Sequence, residues 1–186
     1  MNYNNHFDLE GKHAFLGASK CSWLNKNDDE LIKAFQNAQA AELGTRLHAL
    51  AEEHIKLGIR MPKNHETLNN YINDAIGYHM TPEKVLYYSP LCFGTADSIL
   101  FRKNFLRIHD LKTGVSPVHM EQLLIYAALF CLEYGIKPGE LDGAELRIYQ
   151  NNDIMVCNPQ ANDILPIMDK IVHCDNLLSK IANGEN

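Results

Sequence analysis

The stretch from Gly94 to Lys112, GTADSILFRKNFLRIHDLK, constrains this chain more than any other. Ile, Leu and Phe alternate with polar residues on both sides of a polar turn, Arg102-Lys103-Asn104. That pattern predicts a two-stranded hairpin, one strand over Gly94–Phe101 and the other over Phe105–Lys112. A turn centred on Lys103-Asn104 sets Phe101 opposite Leu106, Ile99 opposite Ile108 and Asp97 opposite Asp110. Lys112 follows two residues on, on the same face, because side chains alternate along a strand. Directly opposed residues have Cβ atoms about 4.5–5.5 Å apart, and like charges placed so are destabilising. Two carboxylates at the end of an apolar stripe therefore call for a cation, and hard divalent ions such as Mg²⁺ take such oxygen ligands. Lys112 adds a positive group able to meet a phosphate or activate a water. The same residues also fit a solvated hairpin edge with surface charges.

A chain of 186 residues, 46% apolar and 22% charged, suits one soluble globular domain, 1–186, with a sizeable core. No apolar run approaches the roughly 20 residues of a membrane span, and the polar start MNYNNHFDLEGKH has no secretory pattern. A soluble, cytoplasmic protein without membrane contact is expected. The five cysteines (Cys21, Cys92, Cys131, Cys157, Cys174) are scattered, odd in number and free of a CxxC pair. They read as reduced core thiols rather than disulfides or a zinc site. A net charge of −6 argues against a broadly basic surface that coats nucleic acid. A contact confined to a local groove stays compatible, with an affinity that falls with salt.

In chain order, residues 1–27 are a polar opening segment holding Ala14-Phe15-Leu16 and the lone Trp23. Asn27 followed by Glu30 is a capping-box pattern. Helical character runs from Asp28 to about Leu57, as one helix or as two segments breaking between Asn37 and Gly44. Gly44, His48 and Glu52 recur every fourth residue and share a helix face, which also fits a plain polar surface seam. Gly44 permits close approach of another backbone. A short helix is expected over His65–His79 and a strand over Val85–Tyr88. Ser116 as N-cap and Pro117 at the first helical position predict a buried helix to Tyr134, closed at Gly135. Gln122 and Tyr126 lie one turn apart on it; Gln122 alone would fit an ordinary core hydrogen bond. Ala144–Tyr149 and Ile154–Cys157 read as strands joined at Asn151-Asn152. A helix over Asp163–Ile181 follows, and residues 183–186 are expected to fray.

Four signals thus fall in order: Gly-x₃-His-x₃-Glu on a helix, Gly-x-x-Asp at a strand start, Asp-x-Lys in the next strand, and Gln-x₃-Tyr on the following helix. This succession resembles the PD-(D/E)XK nuclease superfamily, specifically its RecB-like and phage-exonuclease branch, over roughly Gly44 to Tyr126. Trp23 and the C-terminal strand fit more loosely. The resemblance implies an α/β, restriction-endonuclease-like core of about residues 40–150. Its central mixed sheet is flanked by helices, with extra N-terminal, inserted and C-terminal helices.

By the same resemblance, His48, Asp97, Asp110 and the backbone carbonyl of Leu111 would hold Mg²⁺ or Mn²⁺. Lys112 would position the attacking water and offset charge on the scissile phosphate. Gln122 and Tyr126 would orient that lysine or touch substrate phosphate, and Glu52 would be a further ligand or orient His48. The cysteines lack the clustered spacing of an iron–sulfur site, so no cluster is expected. The implied activity is metal-dependent DNA hydrolysis, exonucleolytic in preference to endonucleolytic, in phage or bacterial recombination, repair or processing. The setting leaves room for a recombination partner protein and for a homo-oligomer. The competing reading is a catalytically idle nuclease fold that binds nucleic acid or protein, marked by loss of an Asp or the Lys; none is lost here.

Overall fold

The computed structural model describes residues 3–182 and 184. The expected fraying at positions 183, 185 and 186 lies outside them. Two compact units divide the chain, Met1–Leu43 and Gly44–Asn186. The first holds two short 3₁₀ segments, Phe7–Leu9 and Ala18–Asn25, and the start of helix α1 (Asp28–Leu57). The capping box is formed: Glu30 N–H donates to Asn27 Oδ1 at 2.9 Å, and Asn27 N–H donates to Glu30 Oε2 at 3.1 Å. Of the two options for α1, the single uninterrupted helix is observed.

The second unit is α/β, a five-stranded mixed sheet flanked by helices. After α2 (Thr67–Tyr78) come β1 (Thr81–Ser89), β2 (Cys92–Arg102) and β3 (Phe105–Leu111) as an antiparallel meander. Helix α3 (Glu121–Tyr134) crosses to β4 (Gly143–Gln150), which runs parallel to β3, and β5 (Asp153–Cys157) closes the sheet antiparallel to β4. Helix α4 (Ala161–Ala182) ends the chain's regular structure. The β2–β3 and β4–β5 turns take the left-handed geometry favoured in two-residue loops: φ is 50° and 55° at Lys103-Asn104, and 52° and 62° at Asn151-Asn152.

Alternation along the strands divides the core. Leu106, Ile108, Leu146 and Ile148 pack with Leu123, Ala127 and Phe130 of α3. Leu111 and Tyr149 pack with Ala51 and Ile55 of α1 and with Tyr71, Ile72 and Ala75 of α2. Helices therefore cover both faces, as a strand order containing a parallel crossover requires.

Two expectations need correction. Helix α3 begins at Glu121, not at Pro117, and Met120 stands at its N-cap without a side-chain bond. The Ser116 carbonyl accepts instead from Gln150 Nε2 at 2.9 Å, so that segment is tied to β4 as a loop. Of the cysteines only Cys131 is buried, while Cys21 is exposed. Gly135 does close α3, with φ 64°. Among the described residues no helix is long and apolar enough to cross a membrane.

A partly buried polar group fastens α2 to the sheet. Arg147 donates to Asp74 at 3.2 Å and to the Tyr78 hydroxyl at 3.0 Å, and the Tyr149 hydroxyl donates to Asp74 at 2.7 Å. His109, fully buried on β3, lies 3.3 Å from that hydroxyl through Nδ1. Burial first, then the charges of Arg147 and Arg107, push the His109 pKa down to about 3. A histidine neutral in the fold but protonated when unfolded costs stability as pH falls below its unfolded value of about 6.5. We predict that lowering pH from 6.5 to 5 removes on the order of 2 kcal/mol of stability through this residue. Urea unfolding at the two pH values checks it. His109→Gln should flatten the slope, and an unchanged slope in that variant would refute the assignment.

Candidate metal centre

The β2–β3 hairpin holds the expected register from Arg102↔Phe105 through Phe101↔Leu106 and Ile99↔Ile108 to Ser98↔His109. There the ladder stops. In place of a backbone pair one step further, Asp97 Oδ2 accepts the Leu111 N–H at 2.7 Å. The simple opposition of Asp97 and Asp110 is thus replaced by a side chain standing in for the missing backbone acceptor. Leu111 itself is buried against α1 and α2.

Asp110 is 2% exposed, and its carboxyl pKa is raised, by burial first and then by the Asp97 charge. Lys112 opposes that shift: its Nζ donates to Asp110 Oδ1 at 3.1 Å and lies 3.0 Å from Oδ2. The second contact is close but poorly directed, and Oδ2 is left without a hydrogen bond. The Lys112 ammonium offsets part of the charge of this buried carboxylate without giving Oδ2 a directed hydrogen bond.

Helix α1 supplies His48, because Ala51 and Ile55, on the same stretch of helix, are packed against α2. Gly44 lets the helix seat there, since a Cβ at that position would meet Thr113 Oγ1 at 2.8 Å. The close approach that glycine allows is therefore to a side-chain hydroxyl, not to backbone. His48 Nδ1 lies 3.5 Å from Asp97 Oδ2. That hydrogen-bonding contact raises the imidazole pKa, and burial opposes it. Glu52, one turn on, is taken up by an ion pair with Lys56 on its own helix.

Strand β1 adds a residue absent from the motif reading. The pairs Pro82↔Ser98 and Lys84↔Ala96 bracket Glu83 and Asp97, which are not themselves paired. Glu83 has a left-handed backbone, φ 48°, a conformation that costs a non-glycine residue about 1–2 kcal/mol. Its carboxylate, the His48 imidazole and the Asp97 carboxylate each offer a ligand atom, all within 4.8 Å of one another. The turn pair Ser89↔Cys92 by itself would set Glu83 opposite Ser98; the register shift between Tyr87 and Ser89 brings it level with Asp97 instead.

On the far side, Lys112 Nζ donates to Gln122 Oε1 at 2.8 Å, and Gln122 Nε2 donates to the Tyr126 hydroxyl at 3.2 Å. Asp110, Lys112, Gln122 and Tyr126 form one chain of polar contacts from the sheet to α3. The Tyr126 ring lies over Gly94, where an added Cβ would come within 2.9 Å of its Cε1. Glycine at the head of Gly-x-x-Asp is there because the tyrosine of Gln-x₃-Tyr needs its space.

The Glu83 and Asp97 carboxylates and the His48 imidazole make a donor set that would fit Mg²⁺ through its oxygens and Mn²⁺ through oxygen and nitrogen. Asp110 stands beside this set, with both its oxygens within 3.1 Å of Lys112 Nζ. We predict that Gly94→Ala costs about 1–2 kcal/mol through displacement of the Tyr126 ring. A double-mutant cycle with Tyr126→Ala checks it: the cost should largely vanish in the alanine background. Comparison with models of protein families, with curated proteins and with solved structures finds no match for the chain.

Proposed function

We propose that the chain is a metal-dependent DNA nuclease with a restriction-endonuclease-like core, similar to RecB-like members of the PD-(D/E)XK superfamily and exonucleolytic by preference. The observation that carries this reading is the polar chain Asp110–Lys112–Gln122–Tyr126 lying beside Asp97 and His48. Phosphodiester hydrolysis needs a nucleophile at neutral pH, relief of the charge gained at phosphorus, and a leaving oxygen that can depart. A Mg²⁺ or Mn²⁺ ion held by Asp97, Asp110 and the Leu111 carbonyl, with His48 beside Asp97, would supply an acidified water and a polarised phosphoryl oxygen.

The protein's own groups do the rest. Lys112 is a compact cation at the mouth of the site, 30% exposed, so it can reach a phosphate oxygen or orient a water. Asp110 and Gln122 grip its ammonium from two sides and fix its direction. Tyr126 fixes Gln122 in turn. His48, held against Asp97, must offer a neutral ring nitrogen in order to ligate. DNA is the implied partner, in phage or bacterial recombination, repair or processing.

The test is incubation of linear and closed circular DNA with Mg²⁺ or Mn²⁺, alongside Asp110→Ala and Lys112→Ala. Degradation of linear DNA alone is the expected outcome, with each variant slower by about 10²–10⁴-fold. Cutting of circles would make the enzyme an endonuclease. DNA binding without cleavage under either cation would mark an idle nuclease fold and sink the enzyme reading.

A further inference from the structure

We propose that Glu83, with His48 and Asp97, holds a divalent cation at a position of its own, beside the Asp110–Lys112 pair and sharing Asp97 with it. The inference rests on the nuclease reading for what this cation does, and on geometry alone for where it binds. The motif resemblance would group His48 with Asp97 and Asp110. The contacts group it differently. Asp110 has both oxygens within 3.1 Å of Lys112 Nζ, whereas Glu83 is the third ligand atom within 4.8 Å of the His48 and Asp97 atoms.

Glu83 is also the uncommitted carboxylate of the group. Asp97 bonds the Leu111 N–H, Asp110 bonds Lys112 and Glu52 pairs with Lys56, while the half-buried Glu83 carboxylate makes no hydrogen bond among the described residues. Asp110 Oδ2, in a residue 2% exposed, has no directed hydrogen bond although Lys112 Nζ lies 3.0 Å away, and Asp110 feels both Asp97 and His48. Two carboxylates and a neutral imidazole carry a charge of −2, which a divalent ion cancels. Three atoms all within 4.8 Å of one another lie within about 2.8 Å of a common point, so inward shifts of under about 1 Å bring them to the roughly 2.0–2.2 Å of a bound ion. The imidazole nitrogen favours Mn²⁺ over Mg²⁺.

Titration of the full chain with Mn²⁺, followed by the electron paramagnetic resonance of the free ion, tests this. Glu83→Gln should weaken binding about tenfold or more, as loss of a metal-site partner does. Glu53→Gln, an exposed residue of the same helix as His48, removes one charge as a control and should leave binding unchanged. Without cation, Glu83→Gln should melt no lower than the wild type, because it relieves repulsion from Asp97; Glu83→Ala repeats the titration independently of the amide. Equal Mn²⁺ affinity in wild type and both Glu83 variants overturns the inference, as does a wild type that binds no Mn²⁺. If that happens while DNA cleavage stays sensitive to Lys112→Ala, the nuclease reading stands alone. Glu83-dependent Mn²⁺ binding without any cleavage keeps the site and removes the nuclease.

Discussion

The bond from the Leu111 amide to Asp97 Oδ2, 2.7 Å long, is the contact on which the candidate centre depends. An amide on a central strand must find an acceptor or lose the free energy of a hydrogen bond. Because the β2–β3 ladder stops at Ser98↔His109, the acceptor here is a carboxylate, and that places a negative charge between β2 and β3. Everything around it answers that charge. His48 comes from α1 on one side, Lys112 lies by Asp110 on the other, and the Asp110 carboxyl, buried beside Asp97, has its pKa raised. Among the described residues Glu83 makes no hydrogen bond, and Asp110 Oδ2 meets the Lys112 ammonium without a directed one.

The rest of the second unit holds that point steady. Helix α3 covers one face through Leu123, Ala127 and Phe130, and the same helix carries Gln122 and Tyr126 to Lys112. Helices α1 and α2 cover the other through Ala51, Ile55, Tyr71 and Ile72, and the same stretch of α1 carries His48. Packing and chemistry thus use the same elements, which is why two glycines matter at the contacts. Gly44 makes room for Thr113 and Gly94 for Tyr126. The Arg147–Asp74–Tyr149 group with His109 joins β3, β4 and α2 on the face away from α3.

Much of this was legible beforehand because it is local. The hairpin register followed from a two-residue turn and a period of two, and it holds over every pair from Arg102↔Phe105 to Ser98↔His109. The Asn27–Glu30 capping box and the Gly135 helix stop are likewise properties of a few adjacent residues. The start of α3 was misread for a related reason: Ser116-Pro117 is a sound local signal, but a distant side chain, Gln150, claims the Ser116 carbonyl. Glu83 is not legible in the sequence: apolar alternation marks the strand only from Val85, whereas β1 starts at Thr81, and alternation gives no hint of a left-handed residue inside a strand.

Sequence alone determined the strands, the order of the motifs and the kinds of donor available: carboxylate, imidazole, ammonium, amide and phenol. These depend on turn chemistry and on periodicity, which act over a few residues. Only the tertiary structure decided which donors meet. His48 and Asp97 are far apart in the chain, and their 3.5 Å approach is set by how Ala51 and Ile55 pack. Whether Glu52 or Glu83 joined that histidine turned on Lys56 taking the first carboxylate and a left-handed residue turning the second inward. Such choices are made by long-range packing and by competition among charges, which no window of sequence contains.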